Sequence, residues 1–114
     1  MSLAPFPLSK TYSAGSETFT EIVLREPTFE DYRQLGPAYD VQKGLMLPDR
    51  EAIFAYVDRL VQKPAAGALA VLTVEDAMGL EGHILDFFVN ARVSLNRRMN
   101  SSSASAGTLA TSTV

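Results

Sequence analysis

The chain has 114 residues, 46% of them apolar, with a formal net charge of −3 and no cysteine. That length holds one hydrophobic core, and the acidic balance, with a pI near 5.0, argues against a phosphate-binding surface, so no nucleic acid is expected as a partner. A disulfide framework and a thiolate metal site are excluded, and no run reaches the roughly 20 apolar residues of a membrane span.

The start, Met1-Ser2-Leu3-Ala4-Pro5-Phe6, lacks the basic segment of a secretory signal, so the cytoplasm is the expected compartment. Phe6, Leu8 and Tyr12 then share one parity, with Ser9, Thr11 and Ser13 on the other. That alternation predicts a strand with one buried face, broken only by Lys10. Ser13 to Glu17 supplies a turn around Gly15, and the β-branched and aromatic run from Thr18 to Arg25 returns as a second strand. The resulting hairpin, over 6–26, is marginal alone, so the Ile22 and Leu24 side should lie on the helices that follow or on another copy.

Pro27 ends the strand, since it has no N–H for a sheet ladder. Thr28 and Asp31 have the spacing of a capping box, which starts a first helix over about 28–35 carrying Phe29, Tyr32 and Leu35. Gly36-Pro37 stops it. Residues 36–48 read as a packed connector holding an irregular turn, with Tyr39, Val41, Leu45 and Met46 inside it.

Asp49 caps a second helix over about 49–63, in which Ile53, Tyr56, Val57, Leu60 and Val61 form one buried stripe. Lys63-Pro64 closes it, and Ala65 to Leu72 is a connector with a helical turn. Thr73 and Asp76 repeat the capping-box spacing and open a third helix, over about 73–95. Ala77, Leu80, Ile84, Phe87, Phe88, Ala91 and Leu95 form one apolar face of that helix. Val74, Met78, Leu85 and Val89 form a second face beside it, so the helix should touch at least two neighbours. Gly79 and Gly82 each cost about 1 kcal/mol in a helix interior and mark a close backbone approach. The polar, serine-rich segment 99–114 reads as a flexible tail after a single domain over 1–98. The fold class is α+β: an N-terminal β-hairpin, three α-helices and a disordered C-terminal tail.

Nothing in the chain has the spacing of a nucleophile with its base, a metal cluster or a phosphate loop, so no catalysis and no cofactor are expected. His83, the one histidine, falls on the polar side of the third helix and should be solvated. Glu75, Asp76 and Asp86 read as capping or solvated acids, and Arg92, Arg97 and Arg98 as complements to the helix dipole. Glu81 falls between the two apolar faces, where pairing across an interface would offset its desolvation.

Ile22-Val23-Leu24, then Arg25-Glu26-Pro27-Thr28 with Asp31, then the helix opened by Thr73 and Asp76 and closed by Asp86-Phe87-Phe88, resembles the tail assembly chaperones of long-tailed phages, in their Mu-like and P2-like group. The likeness covers about residues 8–90, and Leu-Arg-Glu-Pro-Thr is its most specific motif. The resemblance implies a non-enzymatic protein of the infected bacterial cytoplasm that binds the tape measure protein while the tail tube polymerises, and is absent from the finished virion. It also implies that a longer form can arise by translational frameshifting near the serine-rich end. A small structural phage component and a small DNA-binding regulator are the alternatives. Leu80, Ile84, Leu85, Phe87 and Phe88 on the third helix, with Tyr56 on the second, are the candidates for partner binding or self-association, and a homo-oligomer is expected. Recognition would then take the helix-in-groove form.

Overall fold

Strand β1 (Phe6–Ala14) turns at Gly15 into strand β2 (Glu17–Leu24), forming the antiparallel hairpin expected from the alternation. The structure, a computed structural model, describes residues 3–106. The pairing slips between Pro7 and Tyr12: Phe6 lies opposite Ile22, whereas Tyr12 lies opposite Phe19. A bulge in β1 therefore absorbs the break in alternation at Lys10.

Thr28 caps helix α1 (Phe29–Leu35) with the full capping box, its hydroxyl accepting from the Asp31 N–H while the Asp31 carboxylate accepts from the Thr28 N–H at 2.8 Å. Residues 36–48 are not a packed connector. They form a second hairpin, strands β3 (Tyr39–Gln42) and β4 (Leu45–Pro48), turning through Lys43 and Gly44 at φ 53° and 79°. Positive φ at both central residues matches the twist of a two-residue hairpin turn, and glycine adopts it without strain. Every residue of β4 is exposed.

Asp49 caps helix α2 (Arg50–Leu60), accepting from the Ala52 N–H at 3.1 Å. This helix ends three residues before the expected boundary. Val61 belongs instead to strand β5 (Val61–Lys63), which pairs with β2 and gives a three-stranded sheet of order β1-β2-β5. The hairpin thus pairs within the chain. A 3-10 segment (Ala66–Val71) leads to helix α3 (Val74–Ala106), about 50 Å long at 1.5 Å per residue. Its backbone runs past the expected end near Leu95 and into the segment expected to be a flexible tail; residues 107–114 lie outside the described residues.

The core lies between the sheet, α2 and α3. Ile22, Ile53, Tyr56, Leu60 and Ile84 are each 0% exposed, and Leu24, Val57 and Leu80 join them. Helix α3 packs chiefly on α2 and β1 and also meets Tyr32 of α1, in keeping with the width of its apolar surface. Glu81 pairs with Arg50 of α2 at 3.1 Å, so its charge is met within the chain and not across an interface.

The start of α3 departs from the expected box. The Thr73 hydroxyl accepts from the Asp76 N–H at 3.2 Å, but the Asp76 carboxylate turns away to β1. There it accepts from the Ser9 hydroxyl at 2.8 Å, the Ser9 N–H and the Tyr12 hydroxyl, while the Thr73 N–H donates to Tyr12. The bulge releases the Ser9 N–H for this bond. Asp76 is therefore a buried knot between β1 and α3 and not a solvated acid.

Gly79 is the close approach that the sequence marked. A Cβ there would stand 2.7 Å from the Phe6 ring, whereas at Gly82 it would meet nothing within 4 Å. His83, half-buried beside that ring, donates from Nε2 to the Ala4 carbonyl at 2.6 Å, so it anchors the N-terminal segment instead of being solvated. Gly82→Ala is expected to raise stability by about 1 kcal/mol through helix propensity. Gly79→Ala should forfeit that gain by displacing Phe6. Equal gains in urea unfolding would remove Phe6 from this site.

Candidate functional site

Helix α1, strand β3 and the middle of α3 line an open groove of about 750 Å³. The local sequence sets its walls. The Thr28 box fixes the start of α1 and leaves Phe29 at its first position, 77% exposed, with Tyr32 one turn on at 44%. The Asp49 N–H donates to the Ala38 carbonyl at 2.8 Å, closing the base of the β3–β4 hairpin and holding Tyr39 and Val41 as the second wall. Phe87, Phe88, Ala91 and Leu95 of α3 complete it.

The aromatic rings are braced by the core. Phe88 lies 4.7 Å from the Tyr56 ring, 6.3 Å from Tyr32 and edge-on to Phe87 at 5.4 Å. Beneath them the Tyr56 hydroxyl donates to the Gly36 carbonyl at 2.6 Å, and burial pushes its pKa up to about 12, so it remains a donor.

Charge at the groove comes from Asp40 and Arg92. The Gln42 amide and the Val41 N–H donate to Asp40 and hold its carboxyl below the usual carboxylate range. Asp31 lies at the other face of α1. The Arg25 guanidinium, at 2.7 and 3.1 Å, holds its carboxyl far below that range, helped by the Thr28 N–H. Arg59 adds a longer contact at 3.5 Å. This cluster ties the β2–α1 junction to α2 and is fully engaged there.

The six expected site residues divide. Phe87 and Phe88 line the groove. Tyr56, Leu80 and Ile84 are 0%, 2% and 0% exposed, so they are corrected to core residues: Leu80 and Ile84 lie on the side of α3 that α2 and the sheet cover, and Tyr56 of α2 packs against Phe88 of α3. Leu85 is half-buried against the same core and does not line the groove. Sequence reasoning missed Phe29, Tyr32, Tyr39 and Val41 as groove walls. Phe29 and Tyr32 were visible as a stripe on α1, but a stripe does not say whether its own chain covers it.

Among the described residues no group of three His, Cys, Asp or Glu is placed to hold a metal ion, and no helix is long and apolar enough to cross a membrane. Comparison with known protein families, characterised proteins and solved structures finds no match.

Proposed function

We propose that this chain is a non-enzymatic phage tail assembly chaperone that holds a helical segment of the tape measure protein in the groove between α1, β3 and α3. The observation that carries the reading is the groove itself, an open apolar channel with aromatic rings on all three walls and a packed core behind them. An amphipathic helix presents apolar anchors at i, i+3, i+4 and i+7, and an open channel lined by helix and strand receives that row. Aromatic side chains on such a floor carry most of the energy of an interface. The Arg25-Glu26-Pro27-Thr28 motif with Asp31, which carries the resemblance, builds the α1 wall of the same groove. The expected compartment is the bacterial cytoplasm.

Phe29→Asp and Val41→Asp change exposed side chains and leave the core intact, which Phe88→Asp does not. Each is expected to weaken capture of co-expressed tape measure protein by about tenfold or more, equivalent to about 1.4 kcal/mol, with an unchanged circular dichroism spectrum. Folded variants that bind normally would remove the groove from the function. Recovery of the chain in purified virions would replace the chaperone reading with a structural one.

A further inference from the structure

Charge is segregated along the chain. All 13 acidic residues precede Phe87, and beyond it the only charged side chains are Arg92, Arg97 and Arg98. The helix dipole does not account for these arginines, because its effect is confined to the last turn and α3 continues to Ala106, about two turns past Arg98. None of the three makes an ion pair among the described residues.

The arginines stand beside an apolar row that leaves the groove. Phe88, Ala91 and Leu95 line the groove, and the same face of α3, at about 100° per residue, next carries Met99, which is 59% exposed. Arg92 flanks this row on one side and also lines the groove, Arg98 flanks it on the other, and Arg97 falls on the far side of the helix. From Asn96 to Ser101 every residue is exposed, so no part of the described chain covers the row there. Asparagine and serine are weak helix formers, and Asn96, Asn100 and Ser101 lie in these turns, which therefore gain from a neighbour packed along them. Asp40 is the one acid lining the groove; it stands on the β3 wall and accepts from the Gln42 amide and the Val41 N–H. Asp86 falls on the far side of α3, and Glu30 of α1 pairs with Arg33 at 2.7 Å.

We propose that the helix held in the groove runs on past Leu95 along α3, and that this extension is acidic, with carboxylates on both sides of its apolar row to meet Arg92 and Arg98. The proposal rests on the groove reading and adds the chemistry of the partner to it. From Phe87 to Ser101 α3 rises about 21 Å, so the partner supplies about four helical turns. A second copy is a poor occupant: α3 laid on α3 sets arginine against arginine with no acid on either row, and like charges across a contact cost affinity. Nucleic acid is a poor occupant too, since two arginines on a chain of net charge −3 release few counterions.

The test uses three synthetic amphipathic helical peptides of about six turns, with one leucine row and with flanking positions all Glu, all Gln or all Lys, titrated against the full chain by fluorescence anisotropy. The Glu peptide is expected to bind about tenfold more tightly than the Lys peptide, with a preference that shrinks as salt is raised. Arg92→Glu with Arg98→Glu should reverse the order, Arg97→Glu should leave it in place, and Phe29→Asp should weaken all three peptides alike. Equal affinities that all fall with Phe29→Asp would overturn the acidic extension and leave the groove standing. A Glu preference indifferent to Phe29→Asp would separate the arginines from the groove and overturn the proposal, as would a preference unchanged in the double arginine variant or no binding by any peptide. Tighter binding of a 20-base-pair DNA duplex than of the Glu peptide, or a dimer of the chain alone that Met99→Asp dissolves, would assign the row to nucleic acid or to a second copy instead.

Discussion

Ile84→Ala is expected to lower the stability of the chain by about 2–5 kcal/mol, the range for truncating a fully buried aliphatic side chain. Ile84 is 0% exposed and packs where the sheet, α2 and α3 meet, with Leu80 in the same cluster. The side chain is enclosed on all sides, so the space left by its removal cannot collapse fully. Domains of this size have roughly 5–15 kcal/mol in total, and the loss is a large share of that. Urea unfolding followed by circular dichroism gives the value directly. Partner capture by Ile84→Ala should fall only as far as its folded fraction does, unlike Phe29→Asp. A change below about 1 kcal/mol would take Ile84 out of the core.

The second large effect is on acid stability and involves the two buried carboxylates. Arg25 and the Thr28 N–H hold the Asp31 carboxyl below its ordinary range, and the Tyr12 hydroxyl with Ser9 does the same for Asp76. A folded pKa below the unfolded value means that folding favours the charged form. Both groups thus contribute stability that is fully present above the unfolded carboxylate range, about pH 4, and is lost as pH falls below it. Thermal midpoints of the parent chain should be level above about pH 5 and fall steeply below about pH 4. Asp31→Asn with Asp76→Asn should lower the midpoint at neutral pH and flatten the acid limb. Asp76→Ala should cost more than Tyr12→Phe, because it leaves both Ser9 donors without their acceptor and the Tyr12 hydroxyl with only its 3.2 Å contact to Thr73 Oγ1. An acid limb as steep in the double variant as in the parent would show that other groups set it.

What the sequence made legible was local. Thr28 and Asp49 cap their helices because a hydroxyl or carboxylate three residues before an N–H needs nothing beyond its own turn. Ile22 and Leu24 face the core because the alternation of β2 and the stripes of α2 and α3 leave that arrangement to bury them. The misses were contacts between distant parts of the chain. Asp76 abandoned its box for Ser9 and Tyr12, more than 60 residues away. Val61 left its helical stripe because β2 offered a ladder for three residues. The β3–β4 hairpin hid behind Lys43-Gly44, a weaker turn signal than Asn-Gly or Asp-Gly.

For the groove, Phe87 and Phe88 were identified from their tandem position on α3. Adjacent helical residues point about 100° apart, so the pair reaches both the core and the open channel. Leu80 and Ile84 were placed on the same face and so were assigned to the same surface. The body of the protein ends between them and Phe87, and only the packing of α2 shows where.

The irregular pairing of β1 bears on solubility. This strand lies at the outer margin of its sheet, where a flat, regular ribbon would invite strands from other molecules to add on. Its kink between Pro7 and Tyr12 turns the Ser9 N–H inward to a carboxylate and leaves no even row of donors and acceptors for a stranger to read. Sliding the strand by one residue would tear Ser9 and Tyr12 from Asp76, so the alignment is locked as well as blunted.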